Sequence, residues 1–137
     1  MHTEKVIIFT DGASRGNPGP AAIGAVIQDE AGKPIASLSQ RIGTTTNNEA
    51  EYRAIIAGLQ KAVSLGAREV ELKSDSELVV RQINGSYRVK APALKPLYQQ
   101  VKKLQGFVER LTITHISRRQ NTKADRLANK ALGPAVD

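Results

Sequence analysis

The sequence predicts an α/β fold built on a mixed sheet of five strands. Near the N-terminus, three apolar or alternating segments follow one another, and two further strand patterns then alternate with helical ones. We expect the first three strands to form an antiparallel meander and the last two to join the sheet through helical connections. The 137 residues are expected to form one domain, residues 1–137, with a frayed tail after about residue 133.

The meander follows from three segments. Residues 6–9 are an apolar run that leads into Asp11 and a tight loop rich in Gly, Asn and Pro. Residues 21–27 are typical of the returning strand, and residues 35–42 alternate as a third. We expect Asp11 to lie where the first strand ends, so that a rigid element holds its carboxylate beside exposed backbone.

The middle of the chain contains the longest helical pattern. A broad apolar face predicts a helix over residues 49–65, after a polar loop whose last residues cap helices well. Residues 68–73 alternate as a strand, and residues 77–83 form a short amphipathic helix. Asp75 lies between these two elements and is a second carboxylate at a strand end.

The last third repeats this alternation. A helix is predicted from about residue 93 to residue 105, and residues 111–116 alternate as a fifth strand. Residues 117–122 are expected to form a polar loop, and residues 123–132 a terminal helix. Asp125 lies in the first turn of that helix.

Composition limits the function classes. A formal net charge of +7 favours a polyanionic partner such as nucleic acid, although a solvated basic surface is the alternative. With 4% aromatic residues and no Trp, duplex recognition suits the chain better than base stacking. The absence of Cys excludes disulfides and thiolate metal sites. No signal or membrane segment is found, so we expect a cytoplasmic protein without a membrane partner. We also expect a monomer.

Four carboxylates stand at strand ends or in first helical turns: Asp11, Glu51, Asp75 and Asp125. If the strands before Asp11 and Asp75 are parallel neighbours, their carboxyl ends share one edge of the sheet. Clustered carboxylates repel one another, and divalent cations offset that repulsion. Turn chemistry, helix capping and the helix dipole remain structural alternatives for each residue taken alone.

Four segments resemble, in order, the motifs of type 1 ribonuclease H: residues 10–19, 46–52, 73–80 and 115–129. Together they span nearly the whole chain. The resemblance implies a ribonuclease H-like fold with helices on both faces of the sheet. It also implies an endoribonuclease that hydrolyses the RNA strand of RNA–DNA hybrids and leaves 5′-phosphate and 3′-hydroxyl ends.

The resemblance assigns metal binding and catalysis to Asp11, Glu51, Asp75 and Asp125. Two Mg²⁺ or Mn²⁺ ions would activate water for attack on the phosphodiester. Glu51 matches the motif better than Glu49, because it precedes Tyr52, which opens the buried face of the helix.

Substrate contacts are implied at five further positions. Asn17, Asn47 and Asn48 match positions near the minor groove of the hybrid, where amides reach base edges and 2′-hydroxyls. Thr46 resembles a contact to a DNA phosphate, and Ser14 lies in the loop of the first motif. Loop turns and helix caps are the structural alternatives for all five.

The chain departs from many bacterial relatives because it lacks their basic protruding helix. The segment of residues 84–96 is too short for it, as in the short archaeal-type members. Arg88, Lys90 and Lys95 are expected to compensate only in part, so hybrid binding should fall steeply with salt.

Relatives place a histidine in the loop before the fourth acid, and two residues of this chain are candidates for the same role. His115 has the right distance from Asp125 if no gap is allowed, but it continues the alternation of the fifth strand. We therefore favour Arg118, which falls in the predicted loop.

Other functions remain open in the same fold. A nuclease that also cuts double-stranded RNA is one, because the two duplexes share much of their minor-groove shape. A duplex-binding protein that no longer cleaves is another, although the presence of all four acids argues against it. A role on DNA like that of an integrase or resolvase is a weaker analogy.

Overall fold

The computed structural model describes residues 4–134. It contains five strands, four α-helices and one 3₁₀ turn. The elements are β1 (Lys5–Ser14), β2 (Gly19–Gln28), β3 (Pro34–Thr45), α1 (Asn47–Ser64), β4 (Glu69–Ser74), α2 (Glu77–Ile83), α3 (Lys95–Gln105), β5 (Arg110–His115), a 3₁₀ turn (Arg118–Asn121) and α4 (Thr122–Leu132). The tail is predicted to fray after about residue 133, and its residues 135–137 lie outside the described part.

The five strands form one mixed sheet in the order β3-β2-β1-β4-β5. Strand β2 pairs antiparallel with β1 and with β3, whereas β4 pairs parallel with β1 and with β5. The predicted meander and the two helical crossovers are therefore confirmed. The parallel pairing of β1 and β4 brings the carboxyl ends of these strands to the same edge.

Helices cover both faces of the sheet, as expected. On one face, Gly58 of α1 lies against the side chains of Ile8 and Thr10. On the other, Gly24 of β2 lies against the backbone of α4. Asp11 pairs with Gly24, and paired residues point to the same side, so the side chain of Asp11 is on the α4 face.

The main core lies between the sheet and helices α1, α2 and α3. The largest fully buried apolar side chains in it are Tyr52, Ile8, Ile27, Ile55, Leu59, Leu72, Val6, Val70, Val79 and Val101. The buried hydroxyl of Tyr52 donates a hydrogen bond to Oε1 of Gln82 at 2.8 Å, which ties α1 to α2. Within residues 4–134, no helix combines the length and the apolar content needed to cross a membrane.

The prediction that the first strand ends at Asp11 is wrong. Strand β1 continues through Asp11 to Ser14, because β2 still pairs with it along that stretch. Its pairing with β4 ends earlier, at Thr10 opposite Ser74, so Asp11 is inside a strand and beyond the parallel ladder. The prediction of an irregular polar loop at residues 117–122 is also wrong, because most of this segment is a 3₁₀ turn that is followed directly by α4. Other element boundaries differ from expectation by at most three residues.

Candidate active site

Three carboxylates meet at the carboxyl edge of the sheet. Asp11 lies one residue past the β1–β4 ladder, and Asp75 directly follows β4. The first turns of α1 bring Glu51 to the same place. Each of these three side chains offers one oxygen atom, and the three oxygens lie within 4.8 Å of one another.

Glu51 is held by the backbone of β1. Its side chain is buried, and Oε1 accepts a hydrogen bond from the backbone N–H of Gly12 at 2.7 Å. A Cβ at Gly12 would lie 2.3 Å from the carbonyl carbon of Ala50. The glycine of the first motif therefore lets α1 approach β1 closely enough for this bond.

Asn121 positions Asp75, and sequence reasoning missed it. The side-chain nitrogen of Asn121 donates to Oδ2 of Asp75 at 3.2 Å and to the carbonyl of Thr10 at 2.8 Å. Asn121 is 1% exposed, so it links the ends of β1 and β4 from within the fold. The only signal in the sequence is its place four residues before Asp125, inside the fourth motif.

Asp125 lines the same cleft from α4 but is not one of the three clustered acids. Asn129, one turn later, donates from its side chain to Oδ1 of Asp125 at 3.1 Å and to its carbonyl at 2.9 Å. Asn129 also lines the cleft and was missed. Its spacing of four residues from Asp125, which places both on one helix face, is the signal that identifies it.

Burial and mutual repulsion raise the pKa values of Asp11 and Glu51 in the metal-free protein. Burial, followed by the carboxylates of Glu51 and Asp75, raises the pKa of Asp11 to about 9. Asp125 adds to this shift, so its carboxyl group is close to Asp11. Burial raises the pKa of Glu51 to about 8, although the hydrogen bond from the Gly12 N–H and the positive charge of Arg118 both lower it. Such an all-oxygen donor set fits a hard divalent cation, whose charge would offset this repulsion.

The acids line a cleft of about 270 Å³ together with Gly12, Ala13, Ser14, Asn47, Arg118 and Asn129. Arg118 reaches it from the 3₁₀ turn. His115 is the last residue of β5, pairs with Ser74, is exposed and does not line the cleft. The expectation that His115 is a strand residue is therefore confirmed.

The five predicted substrate residues lie around the loop after β1 and the start of α1. Ser14 and Asn47 line the cleft. Ser14 Oγ lies within hydrogen-bond distance of two carbonyl oxygens, that of Thr45 at 2.9 Å and that of Gly16. The Asn17 side-chain oxygen accepts from the Asn47 N–H at 3.0 Å. Thr46 is the N-cap of α1, and Asn48 is in its first turn.

The fold and the cleft define a class of protein. It is an α/β domain with a carboxylate site at the carboxyl edge of its sheet, the place and donor type typical of metal-dependent enzymes. A family model described as reverse transcriptase-like matches residues 9–131 of the chain.

Solved structures and curated proteins identify the family within that class. Ribonuclease HI of Halobacterium salinarum is 42% identical over 131 residues, which cover 96% of this chain and 66% of that protein. The crystal structure of RNase H1 from this archaeon has a TM-score of 0.93 and covers 96% of this chain and 99% of that one. The chain belongs to the type 1 ribonuclease H family.

A mycobacterial relative has the same domain within a longer protein. The bifunctional protein Rv2228c of Mycobacterium tuberculosis is 48% identical over 133 residues, which are 96% of this chain and only 36% of that protein. The structure of its N-terminal RNase H domain has a TM-score of 0.90 at 49% identity, covering 93% of this chain and 98% of that one.

A further relative has been solved with nucleic acid. LC11-RNase H1 in complex with an RNA/DNA hybrid is 45% identical to this chain. Its TM-score is 0.88, and the match covers 92% of this chain and 95% of that one.

Proposed function

We propose that this chain is an endoribonuclease that hydrolyses the RNA strand of RNA–DNA hybrids with the help of divalent metal ions. The observation that carries the proposal is the convergence of Asp11, Glu51 and Asp75 within 4.8 Å, in a cleft that Asp125 also lines. Membership of the ribonuclease H family supports the activity. The hybrid-bound structure of LC11-RNase H1 supports the substrate.

In this proposal two ions, Mg²⁺ or Mn²⁺, are held by Asp11, Glu51, Asp75 and Asp125. Bound metal would lower the pKa of the attacking water and stabilise charge on the leaving oxygen, giving 5′-phosphate and 3′-hydroxyl ends. The protein supplies placement. The Gly12 N–H orients Glu51, and the amide of Asn121 orients Asp75, so both carboxylates are arranged before substrate arrives.

Recognition of RNA is assigned to the amides of Asn17, Asn47 and Asn48. Because the Asn47 N–H already occupies the side-chain oxygen of Asn17, the Asn17 amide nitrogen is left to donate to a base edge or a 2′-hydroxyl. Ser14 and Thr46 hold the loop and the N-terminus of α1, where the backbone favours a phosphate.

Arg118 is our candidate for the loop residue near the fourth acid, because it lines the cleft and lowers the pKa of Glu51. His115 lies outside the cleft, so we give it no contact with the reacting groups. We further propose that the chain acts as a monomeric catalytic domain in the cytoplasm, where a protein without Cys needs no oxidising environment.

One cleavage assay tests this function. A labelled RNA strand is offered single-stranded, paired to RNA and paired to DNA, with Mg²⁺ or Mn²⁺ and with EDTA. We expect metal-dependent cutting of the DNA-paired strand, and its loss in Asp11→Asn. Hybrid binding without cutting under either metal would refute the nuclease. Cutting of both duplexes would extend the substrate to double-stranded RNA.

A further inference from the structure

The cleft is too small to hold a duplex by itself. Its volume is about 270 Å³, so most of a bound hybrid must rest on the surfaces that surround it. Helix α4 forms one of these surfaces, since Asp125 and Asn129 lie on its cleft side.

The outward face of α4 has three cations in a row. Lys123, Arg126 and Lys130 are spaced three and four residues apart, which places them on one face of the helix, and all three are exposed. None of them forms an ion pair with a carboxylate of residues 4–134. Arg119, in the 3₁₀ turn before α4, is also exposed and unpaired within that part of the chain.

Acidic residues outside the cleft concentrate at the opposite end of the molecule. Glu4, Glu30, Glu69 and Glu109 line one shallow depression at the amino ends of β1, β4 and β5. Lys5, Arg68 and Arg110 line it too, and they form ion pairs with Glu4 and Glu69. The cations of that depression are therefore paired with acids, whereas those on the outward face of α4 have no carboxylate partner within residues 4–134. This distribution favours contact of a polyanion with the unpaired cations of α4 over contact with the paired cations of the opposite end.

Resting on the proposed function, we propose that the outward face of α4, formed by Lys123, Arg126 and Lys130, is a second binding surface for the phosphate backbone of the same hybrid. Lys123 and Lys130 are seven positions apart, which corresponds to about 10 Å along the helix axis. That length matches about three successive phosphates of one strand. The surface supplies affinity without contacting the reacting phosphate, in a chain that lacks a protruding basic helix.

Two double variants with the same charge change test this surface. Arg126→Gln with Lys130→Gln removes two cations from α4. Lys33→Gln with Lys61→Gln removes two from the opposite end of the molecule, in the turn after β2 and the last turn of α1. Both lower the formal net charge from +7 to +5, so a general charge effect would be equal in the two proteins.

Binding is measured by fluorescence anisotropy of a labelled RNA–DNA hybrid in EDTA at several salt concentrations. In the α4 variant, we expect the slope of log Kd against log salt to fall by about 1 to 2, and binding at low salt to weaken about tenfold. The control should keep the wild-type slope. In the cleavage assay, the α4 variant should show a raised KM and an unchanged kcat.

Equal slopes in the two variants would overturn the proposal, and that result would also be expected if α4 served an acidic protein or an anionic membrane. The outcome is separable from failure of the proposed function. If the wild type binds hybrid but does not cleave it, only the nuclease is refuted. If it does not bind hybrid, both proposals fall.

Discussion

Glu49 and Glu51 are two residues apart in α1 but have different surroundings. Glu49 completes a capping box: its Oε1 accepts from the Thr46 N–H at 3.2 Å, and Thr46 Oγ1 accepts from the Glu49 N–H. Glu51 points into the acidic cluster. Capping of the α1 N-terminus therefore accounts for Glu49, whereas Glu51 belongs to the acidic cluster.

This difference predicts unequal effects of the same substitution. Glu51→Gln removes a proposed metal-binding carboxyl group from the cluster and should lower kcat about 10² to 10³-fold. Glu49→Gln should change kcat by no more than about twofold, because glutamine also completes a capping box. Steady-state cleavage of a hybrid measures both. Similar losses in the two variants would mean that Glu51 is not the second acid of the site.

The raised pKa of Asp11 predicts a stability change in the metal-free protein. A carboxyl whose pKa rises from 3.8 to about 9 on folding stabilises the fold fully below about pH 4, and this contribution is lost as the pH rises toward 9. Asp11→Asn removes the buried ionisable group. We therefore expect the variant to melt at a higher temperature than the wild type at pH 8, with a smaller difference at pH 4.

Thermal unfolding in EDTA at both pH values measures this. Asp29→Asn is the control, since Asp29 is half-exposed in the turn after β2, far from the cleft. If Asp11→Asn melts at a lower temperature than the wild type at pH 8, the surroundings of Asp11 stabilise its carboxylate, and the prediction from its raised pKa is wrong.

At the scale of elements, the distance between α4 and β2 depends on Gly24. A Cβ there would lie 2.2 Å from the Ala124 carbonyl oxygen and 2.6 Å from the Ala128 nitrogen. Both atoms are backbone, so Gly24→Ala must push α4 away from the sheet, and Asp125 moves with it. We expect the free energy of unfolding to fall by about 3 kcal/mol and the cleavage rate to fall as well.

Gly58→Ala is the matched control. Its Cβ would meet Ile8 Cγ2 at 3.1 Å and Thr10 Cγ2 at 3.3 Å, which are side-chain atoms that can shift. Alanine is also favoured over glycine within a helix by about 1 kcal/mol. Urea unfolding of the two variants should therefore show the larger loss for Gly24→Ala. An equal loss would show that α4 adjusts to the new side chain.

At the scale of the whole molecule, the proposed metal binding would be coupled to folding. Ions that bind only the native cluster stabilise it by about 2.7 kcal/mol at a hundredfold excess over Kd. Because burial raises the pKa values of Asp11 and Glu51, the cluster must lose protons before it binds a cation. We expect Mg²⁺ or Mn²⁺ to raise the melting temperature more at pH 8 than at pH 5.

Thermal unfolding with each divalent chloride measures this, with NaCl of equal ionic strength as the control. A rise that is the same in NaCl would mean that general screening of charge, and not a bound ion, stabilises the fold. A rise that is larger at pH 5 would contradict the raised pKa values of Asp11 and Glu51.

The sequence by itself determined the strand and helix order, the mixed sheet and the four acids of the proposed site. This was possible because burial leaves a local period of two or 3.6 residues in the chain, and because the motifs are short continuous segments. The preference for Glu51 over Glu49 was also available, since Tyr52 marks the buried face of α1.

Only the tertiary structure decided the contacts between distant parts of the chain. It extended β1 through Asp11 by pairing with β2, while the ladder to β4 stopped at Thr10. It also brought Asn121 to Asp75, which is 46 positions earlier in the chain. Local periodicity reports which face of an element is buried but not which side chain from another element meets it, because that depends on how the elements pack.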